Sequence, residues 1–219
     1  MAAKVAVSRV DGRTRGRYKR RDRIFDIAIT LFVEQGYDDT SMEQIAASAG
    51  VARATVFNHF PRKASFLEEW TARRRSQAAR IYSGRTSRAS SLQEVLGGYL
   101  SALVALAEGS RTETMKIMPL LIRVNGIHVE PLSRELASLL IDRSDELRPD
   151  IDAELTSRLI ALGYLSACIR WAEQDPSLDL GEEMESLLHV VLEGARPAAS
   201  AAWKPSSPVD QGSSRSRSR

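Results

Sequence analysis

Apolar positions recur at the helical spacing of three or four residues along almost the whole chain. In the first such stretch the side chains predicted to be buried are Ile24, Ile27, Ala28, Leu31 and Phe32. No stretch shows a convincing alternation of apolar and polar positions, which is the pattern of a half-buried strand. The sequence therefore predicts an all-α protein.

Glycine, proline and short polar runs divide this pattern into nine predicted helices. The first runs from about Tyr18 to Gln35, the second begins at Met42, and the third covers Ala52 to His59. The fourth starts near Pro61 to Lys63 and ends at about Ser83. Five more are predicted at about residues 92–107, 112–124, 131–147, 151–173 and 180–194. This gives a three-helix head, a connecting helix and a larger helical body.

The second and third helices carry strong end signals. Ser41 can cap the helix that begins at Met42, and Gln44 completes a capping box; Thr40 with Glu43 offers the same pairing one residue earlier. Gly50 stands where a left-handed residue ends a helix. Two short helices joined by such a turn are typical of a helix-turn-helix, here residues 41–60, in which the start of the second helix meets base edges.

At these residues the chain resembles the TetR family of bacterial transcriptional regulators. The similarity covers roughly residues 20–68. The matching positions are Gly36-Tyr37, Thr40-Ser41, Ile45-Ala46, Ala49-Gly50-Val51, Thr55, Phe57, His59-Phe60-Pro61 and Lys63. The rest of the chain supports the family only by its length and helical pattern.

The resemblance implies DNA contacts at eight positions. Ser41, Thr55 and Lys63 would bind phosphates, which fix the register of the protein on the duplex. The side chains expected to face the groove are Arg53, Ala54, Phe57, Asn58 and His59. Arg53 is the best candidate for reading a base, because a guanidinium matches the two acceptors of guanine.

The sequence departs from the family pattern at two of these positions, and three of the eight have a simpler interpretation. Phe57 replaces the usual tyrosine, so it lacks the hydroxyl for a phosphate hydrogen bond, and it could pack in the core instead. Asn58 stands where an aromatic residue is common. His59 could be a partly buried residue at a helix end beside Phe60, and Lys63 could be merely solvated.

Charge is distributed unevenly along the chain. The whole sequence has a formal net charge of +3, but residues 1–63 carry +5, residues 64–196 carry −5 and the tail carries +3. The positive region coincides with the helix-turn-helix, which favours DNA as a partner. A basic arm over residues 1–17 is predicted to be disordered; it could lie along phosphates, enter the minor groove or remain solvated.

These observations predict four segments. They are a basic arm (1–17), a DNA-binding domain (18–63), a helical domain for effector binding and dimerisation (64–194) and a disordered tail (195–219). A single cysteine, Cys168, excludes an internal disulfide and fits a reducing compartment. With no apolar run long enough for an export signal or a membrane span, the expected location is the cytoplasm.

The last two predicted helices have broad apolar faces, and the family resemblance implies that they form a homodimer as a four-helix bundle. The alternative is that these faces only complete the core of one subunit. The expected interface residues are Leu159, Leu162, Gly163, Ser166, Leu187, Leu188 and Val191. A two-fold dimer would require a roughly palindromic operator.

Regulators of this family usually bind a small molecule among the body helices. The candidate lining residues are Met115, Met118, Leu121, Ile122, His128 and Trp171. Methionine and aromatic residues at helical spacing are also common in a plain core. The chain itself does not indicate which effector, operator or genes are involved.

The predicted function is thus a ligand-responsive DNA-binding regulator, more readily a repressor than an activator. No cofactor and no metal are expected. One alternative is an enzyme with a helical body, although nucleotide-binding and metal-binding motifs are absent from the sequence. Another is an architectural DNA-binding protein that has no effector.

Overall fold

The computed structural model describes residues 2–83, 90–126, 129–174 and 177–195. In these ranges the chain forms nine α-helices, which confirms the predicted all-α fold. They are α1 (Ala2–Glu34), α2 (Met42–Ala49), α3 (Arg53–His59), α4 (Ala64–Ser83), α5 (Leu92–Gly109), α6 (Arg111–Asn125), α7 (Glu130–Ile141), α8 (Ala153–Ile169) and α9 (Leu180–Ala195). Beyond α9, the predicted disordered tail lies outside the described residues.

The first helix is much longer than predicted. It was expected to begin near Tyr18 after a disordered arm over residues 1–17, but α1 begins at Ala2 and contains 33 residues. Forming the first turn of a helix is unfavourable, and in α1 the packed second half provides that turn. Each residue added before it then gains one backbone hydrogen bond, so the helix can extend toward Ala2. Gly12 and Gly16 lie inside the helix, where each costs only about 1 kcal/mol relative to alanine.

The head, α1 to α3, closes around one small core that also takes in the start of α4. Ile24, Ile45 and Val56 are fully buried and come from its three helices. Phe60, at the end of α3, stacks on Phe66 of α4 with ring centroids 4.1 Å apart. The connecting helix is therefore part of the head core as well as of the body.

In the body, α8 packs between α7 and α9, and α5 packs against α4 and α9. At one point the α8 and α9 backbones come unusually close. A Cβ added to Gly163 would lie 2.5 Å from Leu187 of α9, so the absence of a side chain permits this approach. Among the described residues, no helix combines the length and apolar character needed to cross a membrane.

The end of the seventh helix differs from the prediction. A helix was expected to continue to residue 147, but α7 ends at Ile141 and a short 3-10 turn follows at Ser144–Glu146. The Glu146 carboxylate accepts the backbone N–H of Leu92 at 2.9 Å and 3.0 Å. Since that N–H begins α5 and has no partner inside its own helix, the chain leaves α7 to provide one.

The eighth helix also ends irregularly. Its last residues form a π-helical turn, Arg170–Gln174, instead of continuing as an α-helix to residue 173. At the other end, Asp152 caps α8 by accepting the N–H groups of Glu154 and Leu155 at 2.8 Å and 3.1 Å. This is the dipole-favoured position that acidic residues take at helix starts.

Candidate DNA-binding surface and ligand cavity

Both ends of α2, including the turn that leads into α3, are built as the sequence predicts. The Ser41 hydroxyl accepts the N–H of Gln44 at 3.1 Å, and the Gln44 side chain accepts the N–H of Ser41 at 2.6 Å. Gly50 adopts the left-handed conformation with φ 63°. Thr40 is buried and its hydroxyl donates to the Gly36 carbonyl at 2.7 Å, so it does not form the alternative capping box. The capping box and the glycine turn together set the angle at which α3 is presented.

The outer side of α3 carries most of the predicted groove-facing residues. Arg53, Ala54 and Asn58 are exposed, whereas Thr55 and Phe57 are half-buried. The Phe57 ring packs against the head core and also supports the Arg53 guanidinium, which lies 5.2 Å from its centroid. Phe57 thus takes the core-packing position that was the alternative to a DNA contact, and it also supports Arg53.

Arg53 is held in an ion pair that DNA would have to displace. Its Nε lies 2.8 Å from Oε1 of Glu43 on α2, and the two side chains are 65% and 53% exposed. An ion pair so open to water contributes at most about 1 kcal/mol. Its guanidinium can therefore exchange Glu43 for a base or a phosphate at little cost.

Lys63 has a more specific position than the sequence suggested. Its ammonium donates to the carbonyl oxygens of Tyr37 and Thr40 at 2.5 Å and 2.9 Å, and it lies 4.2 Å from the centroid of the Tyr37 ring. Burial lowers the pKa of Lys63, with nearby charges acting in both directions. The ammonium therefore fastens the loop between α1 and α2, and a phosphate would have to share it with these carbonyls.

His59 lies half-buried at the end of α3, next to α1. Burial lowers the pKa of His59, and the positive charges of Arg17, Arg21 and Arg20 lower it further. The imidazole is therefore neutral at pH 7, when it can donate one hydrogen bond and accept another. The structure fits both the helix-end role and an approach to DNA beside the arginines of α1.

Ion pairs fasten the head to α4. Arg21 of α1 binds the carboxylate of Glu69 through two hydrogen bonds of 2.8 Å and 3.0 Å. Arg73 of α4 reaches Asp22 at 2.6 Å and Glu69 at 2.9 Å. These contacts join α1 to α4 through charged side chains.

The sixth helix also touches the head. The Lys116 ammonium donates to the Val33 carbonyl of α1 at 2.5 Å, and Arg123 forms an ion pair with Asp38 at 2.6 Å. The hydrogen bond from Arg123 lowers the pKa of Asp38. Thus both α4 and α6 make polar contacts with the head.

A mainly apolar cavity of about 80 Å³ lies between α4, α6, α7 and α8. It shares five lining residues with a neighbouring cleft of about 310 Å³ that extends to Asn125 and Gly126. The apolar side chains that line it include Trp70, Leu103, Met118, Leu121, Leu132 and Leu165. Both helices that contact the head therefore form walls of this cavity.

Two of the predicted effector-binding residues, Met118 and Leu121, line the cavity. Met115 and Ile122 are half-buried on the same helix but are not among the lining residues. Trp171 does not line this cavity; it is buried in the π-helical turn, with the Arg111 guanidinium 4.6 Å from its ring centroid. His128 lies outside the described residues.

The charged part of the cavity wall was not predicted from the sequence. Arg74 is 12% exposed; it donates to the Leu106 carbonyl at 2.8 Å and lies 3.2 Å from the Glu113 carboxylate. Trp70, over which Arg74 stacks, donates to the same carboxylate at 2.6 Å. The four-residue spacing of Trp70 and Arg74 was the available signal, since it places both on one face of α4.

Arg75 forms the other charged contact of this wall. It lies 3.0 Å from Glu135 of α7, and the Tyr99 hydroxyl of α5 donates to the same carboxylate at 2.5 Å. Burial and the neighbouring Glu135 carboxylate raise the pKa of Tyr99. Tyr99 therefore stays a neutral donor, and Arg75 keeps a positive charge at the edge shared by the cavity and the cleft.

The thiol of Cys168 lies in the interior of the body and has no reactive role there. Cys168 is buried inside α8, and burial raises the pKa of its thiol to about 12. Such a thiol is protonated and unreactive at neutral pH. Its position fits packing better than redox sensing.

The predicted dimer residues fall into two groups. Leu159, Leu162 and Ser166 are exposed on α8, and Leu159 is 50% exposed. Gly163 and Leu187 face each other within the subunit, with Val191 half-buried nearby on α9. Leu188 was predicted wrongly, because it is 4% exposed and packs toward Gly97 inside the subunit.

Two parts of the chain match known protein families. Residues 24–70 match the family described as bacterial regulatory proteins, tetR family. Residues 126–194 match the C-terminal domain of TetR/AcrR family transcriptional repressors. The chain belongs to the TetR family.

Other TetR regulators resemble it over most of its length. The HTH-type transcriptional repressor KstR2 of Rhodococcus jostii is 26% identical over 195 residues, which cover 83% of this chain and 93% of that protein. FadR of Thermus thermophilus, solved in complex with lauroyl-CoA, is 27% identical and has a TM-score of 0.63. That match covers 84% of this chain and all of FadR.

The head alone has closer matches. The biofilm operon regulator IcaR of Staphylococcus aureus is 45% identical over 49 residues, which are 22% of this chain and 26% of that protein. The protein is thus a TetR-family transcriptional repressor, a ligand-responsive DNA-binding regulator and not an enzyme. The helix-turn-helix is its DNA-binding element and the helical body holds its ligand.

Proposed function

We propose that the protein acts as a cytoplasmic homodimer that places two α3 helices in successive major grooves of a roughly palindromic operator. DNA binding is assigned to residues 18–63, and effector binding with dimerisation to residues 64–194. In the head, the proposed DNA contacts are Ser41, Arg53, Ala54, Thr55, Phe57, Asn58, His59 and Lys63. The exposed outer side of α3 next to a set of arginines is the observation that carries this assignment.

The proposed subunit contact is the exposed leucine face of α8 with the neighbouring side of α9. Leu155 and Leu159 are each 50% exposed, Leu162 is 39% exposed, and Val190 of α9 is 70% exposed. Apolar side chains grouped on one face indicate a protein contact more strongly than scattered ones. Two such faces related by a two-fold axis would form the four-helix arrangement expected for the family.

The proposed effector is an amphiphilic anion of the acyl-CoA type. Support comes from the mostly apolar cavity, from the positive charge of Arg75 at its edge, and from the lauroyl-CoA bound to the related FadR. An apolar chain would enter among Leu103, Met118 and Leu165, while an anionic group would take Arg75 from Glu135. The cavity is smaller than the roughly 300 Å³ of ordinary ligand sites, so occupation must move its walls.

Two of those walls, α4 and α6, contact the head. Moving them changes the position of α1 and α3 in each subunit, and therefore the distance between the two recognition helices. The coupling is reciprocal: an effector that weakens operator binding by some factor must itself bind the DNA complex more weakly by the same factor.

The operator part of the proposal is tested with DNA fragments from the region flanking the gene, in excess competitor DNA and at several salt concentrations. We expect a complex of two subunits on one short, roughly palindromic site, with an affinity that falls steeply as salt rises. Weak binding that ignores sequence would overturn the assignment of a specific operator to this head.

The dimer is tested by Leu159→Glu, with Ile141→Glu as the matched control. Both leucine and isoleucine are apolar and exposed, at 50% and 58%, but Ile141 ends α7 and lies off the proposed interface. A buried pair of like charges opposes association, so Leu159→Glu should give a monomer in sedimentation velocity and lower operator affinity at least about 100-fold. A dimeric Leu159→Glu protein would place the interface elsewhere.

The effector is tested by adding lauroyl-CoA, laurate or coenzyme A to the operator complex. Lauroyl-CoA should release the DNA, whereas either half alone should be much weaker. Arg75→Gln should raise the concentration for half-release by about 10-fold or more, since a charged hydrogen bond contributes about 1.5–3 kcal/mol. Arg134→Gln, exposed on α7 away from the cavity lining, is the control. If acyl-CoA esters of every chain length leave the complex intact, this effector class is wrong.

A further inference from the structure

The first half of α1 projects beyond the head core. The helix begins at Ala2, but the first buried residue described on it is Ile24. At a rise of about 1.5 Å per residue, the part before Ile24 is roughly 33 Å long. The described contacts of α1 with Phe60 and with α4 begin at Arg21 and Asp22, so they do not account for the part of the helix before Arg21.

The projecting part carries concentrated positive charge. Between residues 15 and 21 the sequence RGRYKRR contains five basic residues and no acidic one. Arg17, Lys19 and Arg20 are exposed, and none of them forms an ion pair among the residues that the structure describes. Like charges at helical spacing repel one another, so this segment gains free energy from any polyanion placed along it.

One side of this segment lies beside the recognition helix. Arg21 packs its guanidinium 4.6 Å from the centroid of Phe60, the residue that ends α3. Arg17 lies one helical turn before Arg21, and Arg20 lies three residues after Arg17. The positive charges of Arg17, Arg20 and Arg21 all lower the pKa of His59 on α3, so Arg17 and Arg20 lie toward the α3 side of α1. Successive residues are about 100° apart on a helix, which puts Lys19 on the opposite side.

We propose that the projecting part of α1 is a second DNA-binding element, in which Arg17 and Arg20 bind phosphates next to the groove that α3 enters. Lys19 points away and serves no such contact. Arg17 and Arg20 lie seven and four residues before Ile24, or roughly 10 and 6 Å along the helix axis, so they can reach phosphates at the edge of the half-site read by α3. This inference rests on the DNA-binding role of α3 and adds a contact that does not depend on base sequence.

The test is the salt dependence of DNA binding for Arg17→Gln, Arg20→Gln and their double variant, with Lys19→Gln as the matched control. Each phosphate contact contributes about 0.9 to the slope of log K against log salt. Because a dimer has two copies of α1, each arginine variant should reduce the slope by about 1.8 and the double variant by about 3.6. Lys19→Gln removes the same charge from the same helix and should leave the slope unchanged.

Thermal unfolding of all four variants shows whether the fold is kept, which is expected for exposed side chains. An unchanged slope for the double variant would overturn the proposal, and so would equal losses for Arg17, Lys19 and Arg20. A second measurement shortens the flanks of the duplex. Wild-type affinity should then fall, whereas the double variant should bind long and short duplexes equally.

The same titration on a duplex of random sequence separates this inference from the proposed operator. Phosphate contacts do not depend on sequence, so the loss of slope should appear there too. If a specific operator is never found but the slopes still differ as expected, the proposed operator fails and the α1 contact stands. If a specific operator is bound and the slopes do not differ, the α1 contact fails alone.

Discussion

The head and the body both place arginines on a proposed binding surface, but they surround these arginines differently. In the head, Arg53 is 65% exposed and its described ion pair is with Glu43, which is itself 53% exposed. In the body, Arg74 and Arg75 are 12% and 16% exposed, and Arg74 binds a carbonyl, a hydroxyl and a carboxylate.

The difference shows two ways of preparing a charge for binding. An exposed pair contributes little and exchanges readily, so Arg53 can change partner whenever DNA arrives. A half-buried arginine in a network holds its neighbours in place, and its displacement changes their positions. The exposed ion pair of the head therefore favours exchange of partners, whereas the half-buried network of the body favours a conformational response.

The largest effect that tests this contrast is expected for Arg74→Ala. The variant leaves Glu113 without its guanidinium and removes the group stacked on Trp70, so the free energy of unfolding should fall by about 2–3 kcal/mol. Urea unfolding measures this loss. Arg134→Ala, which breaks an exposed pair with Glu130, should lose less than about 0.5 kcal/mol. Equal losses for the two variants would remove the distinction between the two kinds of arginine.

In the head, Arg53→Ala should act on recognition and not on folding. We expect a loss of about 1–3 kcal/mol of binding at one base pair of each half-site, with a relaxed preference there. Binding to a set of operator variants with single base changes measures it. If every sequence lost the same affinity, Arg53 would be a phosphate contact.

The smallest effect is expected for Glu43→Gln, which frees Arg53 from its ion pair. Operator affinity should rise by up to about fivefold for each subunit of the dimer, because an exposed pair is worth about 0.2–1 kcal/mol. The unfolding free energy should fall by no more than this same amount. A weaker complex would show that Glu43 positions Arg53 for DNA and does not compete with it.

The head could be predicted from the sequence because its signals are local. Ser41, Gln44 and Gly50 lie within ten residues of one another, and each acts on backbone groups next to it. The hydrogen bonds of Lys63 could not be predicted in this way, although Lys63 belongs to the head. Its acceptors at Tyr37 and Thr40 are set by how α4 packs against the loop, which no short stretch of sequence encodes.

The cavity could be predicted only in part because its wall is assembled from distant segments. Arg75, Tyr99 and Glu135 meet from α4, α5 and α7, although the sequence separates them widely. Periodicity places Leu187 and Leu188 on the same broad apolar stripe. Only the packing of α9 shows that Leu187 meets Gly163 while Leu188 turns toward Gly97.

The contacts of the body with the head have a consequence for modular design. The Lys116 ammonium of α6 donates to a main-chain carbonyl oxygen of the head, at Val33, whereas Arg21, Asp22 and Asp38 of the head pair with side chains of the body. A carbonyl oxygen is present whatever side chain the residue carries, so the Lys116 contact places no demand on the amino acid at that position. Heads with new operator preferences that keep the three charged residues could therefore be grafted onto this body to make sensors that report one ligand through different promoters.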